Sequence, residues 1–128
     1  MRQLLLDTHV ALWAMASPAV LSPSVRRAIE DPANTVLVSA ASVWEVAIKQ
    51  AAGKLEAPAG FGAKCISLGF EPLEISFEHA AAAGALPMHH ADPFDRMLIA
   101  QAIEEHLELV SKDRVFAEYE GLRLVPPI

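Results

Sequence analysis

Short apolar runs punctuate this chain at intervals that leave room for a helix between one run and the next. Leu4-Leu5-Leu6, Thr35-Val36-Leu37-Val38, Leu73-Glu74-Ile75, Glu108-Leu109-Val110 and Leu122-Arg123-Leu124-Val125 all have strand length. The stretches between them carry helix start and stop signals. Such alternation is the pattern of an α/β domain, in which helices cover a mostly parallel central sheet. At 128 residues the chain has the size of one domain, taken here as residues 1–128, with no repeat, low-complexity segment or linker.

The punctuation places the helices. Thr8 to Met15 is read as a short helix stopped by Ser17-Pro18. Ser22-Pro23 pairs a cap with proline at the first helical position, and that helix runs to about Asp31. Ser42 to Ala52 is a helix closed by Gly53, and Pro58 to Leu68 another. Ser76 caps an alanine-rich helix through Ala83. Asp92-Pro93 opens the clearest helix, Phe94 to about His106, and Val115 to Glu118 reads as a helical turn.

Four acids stand where such a sheet gathers its functional groups. Asp7 ends the first run, Glu45 follows the second, Asp95 opens the long helix and Asp113 follows Val110. In open α/β sheets, ligands bind outside the carboxyl ends of the strands. Acids converging there repel one another unless a cation lies between them, so a divalent-metal site is the leading reading.

Each acid also has an ordinary explanation. Asp7 directly precedes a helix and suits an N-cap. Ser42-Val43-Trp44-Glu45 matches a capping box, and Glu45 is spaced for an i,i+4 pair with Lys49. Asp92 suits an N-cap, which leaves Asp95 at the third helical position, favoured by the helix dipole and free to face a cleft. Asp113 fits a solvated turn. His89 and His90 are read as loop histidines, because the HHxD spacing is too weak to claim a transition-metal site. Arg96 either contacts phosphate or pairs with an acid. Together the acids make a hard oxygen donor set suited to Mg²⁺ or Mn²⁺. Such ions serve phosphodiester hydrolysis.

Composition limits the partners. Lys and Arg number 10 against 16 Asp and Glu, a net charge of −6, which is no basic footprint for holding nucleic acid. A nucleic-acid substrate would need bound metal and a local group of cations. Mean hydropathy is +0.31, apolar enough to suggest further burial against a partner. The single cysteine, Cys65, excludes an internal disulfide and fits a reducing compartment. No stretch approaches a signal peptide or membrane span, so cytoplasm is the expectation and no membrane partner is expected.

The blocks Leu4-Leu5-Leu6-Asp7-Thr8-His9, Val38 through Glu45, His89 through Arg96 with Leu98-Ile99-Ala100-Gln101-Ala102, and Val110-Ser111-Lys112-Asp113 resemble a PIN domain. The resemblance spans essentially the whole chain and is nearest to VapC-type toxins of bacterial type II toxin–antitoxin modules. It implies a Rossmann-like α/β/α sandwich and a Mg²⁺- or Mn²⁺-dependent ribonuclease. By this resemblance Asp7, Glu45, Asp95 and Asp113 match the catalytic acids. Asp7, Asp95 and Asp113 are the expected metal ligands, with Glu45 and Asp92 as additional candidates. Thr8 matches the small hydroxyl residue beside the first acid. Thr8, Lys49, Arg96, Lys112 and Arg114 are the candidate phosphate contacts. A cognate antitoxin and a homodimer are the implied protein partners.

Two other classes compete. A dehalogenase-like phosphatase also places an Asp after its first strand, but normally has a second Asp two residues on, where this chain has His9. A non-catalytic PIN-like binding module would not require the full acid set.

Overall fold

The computed structural model describes residues 1–128. Five strands form one sheet: β1 (Gln3–Leu6), β2 (Thr35–Ser39), β3 (Glu71–Leu73), β4 (Glu108–Val110) and β5 (Arg123–Val125). Their order is β3-β2-β1-β4-β5 and every neighbouring pair is parallel. The expected sheet was mostly parallel; the observed one is wholly so. Leu4, Leu5 and Leu6 face Val36, Leu37 and Val38 on one side of β1 and Glu108, Leu109 and Val110 on the other. The chain builds outward from β1 through β2 to β3, then returns to place β4 on the opposite flank. The topological switch therefore lies between β1 and β4, where this class of sheet opens its crevice.

Six helices cover the sheet: α1 (Thr8–Ala16), α2 (Pro23–Glu30), α3 (Ala40–Ala51), α4 (Phe61–Ser67), α5 (Phe77–Ala85) and α6 (Pro93–Glu104), with short 3₁₀ turns at Pro18–Val20 and Arg114–Glu118. Alternation along β1 divides the core in two. Leu4 and Leu6 point to a cluster with Val10, Ala11, Val25 and Val46, while Leu5 points to a cluster with Leu98, Ile99, Leu109 and Phe116. Period-two pleating sends neighbouring side chains to opposite faces, so a three-leucine run can serve both helical layers.

Several element boundaries differ from the sequence expectation, three of them with an identifiable local cause. Helix α3 begins at Ala40, because Ser39 rather than Ser42 caps it by accepting the Ala41 N–H at 3.0 Å. Helix α4 begins at Phe61, after Gly60 in a left-handed conformation, rather than at Pro58. Strand β3 ends at Leu73, because its register follows β2 (Leu37 opposite Glu71, Ser39 opposite Leu73). A capping box does form at α5, with His79 replacing the usual Glu or Gln. His79 Nδ1 accepts the Ser76 N–H, and Nε2 meets Glu105 at 2.9 Å beside the C-terminus of α6. No helix is long and apolar enough to cross a membrane.

Candidate active site

The acids come from four parts of the chain and meet at the carboxyl end of the sheet. Asp7 is the first residue after β1. Its backbone N–H donates to Val110 O at 3.1 Å, tying the end of β1 to the end of β4. Its side chain accepts the Val10 N–H at 2.8 Å and caps α1. Asp7 is buried, and that burial raises its pKa. The Ser111 hydroxyl and Val10 N–H oppose the shift, whereas the charge of Glu45 adds to it.

Helix α3 supplies Glu45, which is buried. The buried Thr8 hydroxyl donates to Glu45 Oε1 at 2.6 Å and lies 2.9 Å from the Ser42 hydroxyl. Lys49 forms the i,i+4 ion pair with Glu45 Oε2. This hydrogen bond raises the Lys49 pKa, and the charges of Asp92 and Asp95 act in the same direction. Glu45 does not close a capping box. It is held from two sides, by a hydroxyl from α1 and an ammonium one turn away.

Asp92 caps α6, its Oδ1 accepting the N–H groups of Phe94 and Asp95 at 2.9 and 3.0 Å. With the cap taken, Asp95 is released toward the other acids. Its pKa is pushed up to about 7, first by burial, then by Asp92, with Glu45 and Asp7 adding and His90 opposing. Asp113 caps the second 3₁₀ turn through Oδ1, which accepts the Val115 N–H at 3.0 Å. Its other oxygen, Oδ2, faces His90 Nε2 at 3.0 Å, and the same nitrogen lies 3.1 Å from Asp95 Oδ2. One ligand atom from each of His90, Asp95 and Asp113 falls within 4.8 Å of the others.

Sequence reasoning left His90 as a loop histidine and did not single out Ser111. The available signal was the position of His90 two residues before Asp92. Nδ1 of His90 accepts the Asp92 N–H at 3.1 Å, a local turn that fixes the ring. Ser111 follows β4 directly, is buried, and accepts the Asp113 N–H at 3.2 Å.

The candidate phosphate contacts separate by environment. Arg96 is buried and points inward. Nη1 donates to Pro87 O and His90 O at 3.1 and 3.2 Å, and Nη2 to Ala83 O and Leu86 O, both at 2.9 Å. Its donors are committed to the segment before α6, which favours the structural alternative for Arg96 over the phosphate contact. Thr8 is enclosed with Glu45 and Ser42 rather than open to solvent. Lys49 is tied to Glu45. Lys112 and Arg114 are exposed, with the Lys112 ammonium 5.4 Å from the centre of the Trp13 ring.

The donor set fits a divalent cation. It is rich in oxygen, and Asp95 carries a raised pKa that a neighbouring positive charge would lower.

Comparison with known proteins agrees with this architecture. The PIN domain family matches residues 4–122. The chain is 38% identical over 117 residues to Ribonuclease VapC22 of Mycobacterium tuberculosis, with 89% of each chain covered. Among solved structures, DNA-bound VapBC from Salmonella typhimurium superposes with a TM-score of 0.71 at 20% identity, covering 98% of both chains. VapBC2 from Rickettsia felis, bound to a fragment of its promoter, superposes with a TM-score of 0.69 at 18% identity, covering 96% of this chain and 97% of that one. A match from β1 to the residue before β5, together with so similar a relative, makes this chain a member of the PIN-domain family.

Proposed function

We propose that this protein is a metal-dependent endoribonuclease, the toxin of a toxin–antitoxin pair, with residues 1–128 forming one PIN domain. The observation that carries the reading is the gathering of Asp7, Glu45, Asp92, Asp95 and Asp113 at the topological switch, where burial first and the charges of Asp92, Glu45 and Asp7 next push the Asp95 pKa up. The relative named as a ribonuclease supports RNA as the substrate. The VapBC likenesses support the fold of this reading, and a cognate antitoxin and homodimerisation belong to it as proposals.

In the proposed mechanism Asp7, Asp95 and Asp113 would hold Mg²⁺ or Mn²⁺, with Glu45 and Asp92 as additional candidate ligands. Bound there, the ion would offset the acids' charge against the phosphodiester and activate water for its hydrolysis. Asp7 and Asp113 are each pinned by a backbone N–H that one carboxylate oxygen accepts, and Asp113 turns its other oxygen to His90. The Thr8 hydroxyl and Lys49 fix Glu45 in direction, suited to orienting the attacking water. Lys112 and Arg114, exposed beside Asp113, are the cations placed to meet the RNA backbone.

The test is cleavage of RNA by the pure protein with Mn²⁺ or Mg²⁺, with and without chelator. Asp7→Asn and Asp95→Asn should each lower the rate at least ~100-fold while preserving the circular dichroism of the fold. Undiminished metal-dependent cutting by either variant would overturn the assignment. A wild-type protein that binds RNA without cutting it would favour the binding-module reading.

A further inference from the structure

His90 lies between two of the acids that the proposed function assigns to the cation, and its ring is held there from several sides. Its backbone N–H donates to the Tyr119 hydroxyl at 2.8 Å, and its carbonyl accepts from Arg96 at 3.2 Å. The ring packs against Phe116, with centroids 5.6 Å apart. Phe116 and Tyr119 are buried, so the segment carrying the second 3₁₀ turn forms a wall against which His90 is seated. Free loop histidines are not anchored at backbone and ring together.

The contacts of the two ring nitrogens determine what each can do. Nδ1 accepts the Asp92 N–H, so it carries no proton. In the neutral ring the proton then sits on Nε2, which faces Asp95 Oδ2 at 3.1 Å and Asp113 Oδ2 at 3.0 Å. A histidine that ligates metal through Nε2 usually carries its proton on Nδ1 and donates it to an acceptor. Here the Asp92 N–H opposes that arrangement, so this imidazole is set up as a donor to Asp113, with Asp95 in contact beside it.

We propose that His90 is a positioning residue that stands in for the cation: its Nε2–H donates to Asp113 while the ring nitrogen lies against Asp95 in the metal-free protein, and it is displaced when a divalent ion binds between the two acids. The inference rests on the assignment of Asp95 and Asp113 as metal ligands. It adds that the site is built with an internal competitor, which keeps two acids close in the absence of metal and makes cation entry an exchange. The ring nitrogen and the cation cannot both lie against the same two carboxylate oxygens.

The experiment is Mn²⁺ binding to the full chain without RNA, measured by electron paramagnetic resonance of the free ion, for wild type and His90→Ala. Loss of this donor should tighten Mn²⁺ binding about 3- to 10-fold, the range expected from the net worth of a hydrogen bond. Weaker binding by the variant would make His90 a ligand, and unchanged binding a bystander; either result overturns the proposal. If the variant does not fold, nitrogen-detected imidazole NMR on the wild type decides. The metal-free protein should show the Nε2–H tautomer for His90, with that resonance shifting on addition of Mg²⁺. An Nδ1–H tautomer, or a resonance indifferent to Mg²⁺, overturns it. Wild type that binds no Mn²⁺ at all, and cuts no RNA, would instead remove the metal-site reading beneath it.

Discussion

Asp95 shows how one residue can be costly to the fold while suiting the site. Its proton leaves at about pH 7 in the folded chain, against about 3.9 for an unperturbed aspartate. As pH rises from about 4 to about 7, the unfolded chain has lost this proton while the folded chain retains it. By linkage, stability falls across that window, and the penalty is complete above it. Asp95→Asn has no such penalty, so it should be more stable than wild type at pH 8 by on the order of 1–2 kcal/mol, after allowance for solvent screening. The two should converge near pH 4, and saturating Mn²⁺ should narrow the gap at pH 8 by stabilising only the wild type. Urea unfolding at the two pH values measures this. An Asn variant less stable at pH 8 would show that the acids do not strain one another. Asp7 is raised by burial as well, with Ser111 and the α1 cap opposing. Together, the two acids make the metal-free site a local weakness.

At the scale of elements, the strand and helix order was legible because both signals are local. Apolar runs of three or four residues and Pro-marked caps depend on neighbours in sequence, and Ser22-Pro23 and Asp92-Pro93 begin α2 and α6 as read. The start of α3 was not legible. Ser39 and Ser42 are both competent caps, and the choice falls to the register of β2, which ends at Ser39 opposite Leu73. The acids could be recognised as one group because parallel strands present their carboxyl ends on one side. The place of His90 could not, because its partners are Tyr119, Phe116 and Asp113, distant in sequence and brought together by packing. The carbonyl partners of Arg96 were not legible for the same reason. Its guanidinium joins α6 to the end of α5 and the segment that follows, through carbonyls of Ala83, Leu86, Pro87 and His90. Arg96→Ala should therefore lower stability by about 2–4 kcal/mol, since buried carbonyls lose charge-assisted partners. Hydrogen exchange should rise first across residues 86–92. A variant of wild-type stability with reduced RNA affinity would restore the phosphate role.

For the molecule as a whole, an acidic nuclease must bind an acidic polymer. The net charge is −6, and several of its cations are already engaged: Arg2 with Glu108, Lys49 with Glu45, Arg96 with backbone carbonyls. Near the site this leaves Lys112, in the loop after β4, and Arg114, the first residue of the second 3₁₀ turn, both exposed. Affinity for RNA should accordingly respond only weakly to salt. Two phosphates neutralised on a single strand give a slope of log K against log salt of about −1.4, or roughly a sevenfold loss from 50 to 200 mM. A protein with a basic groove loses far more. Fluorescence anisotropy of a labelled single-stranded RNA, with Asp95→Asn used to prevent cutting, measures the slope. Lys112→Ala with Arg114→Ala should bring it close to zero. A steep slope that survives the double substitution would place the RNA on another face of the molecule, away from the acids. A shallow slope that the double substitution removes would mean that few contacts hold the backbone, and that the cation at the acids supplies the rest of the attraction.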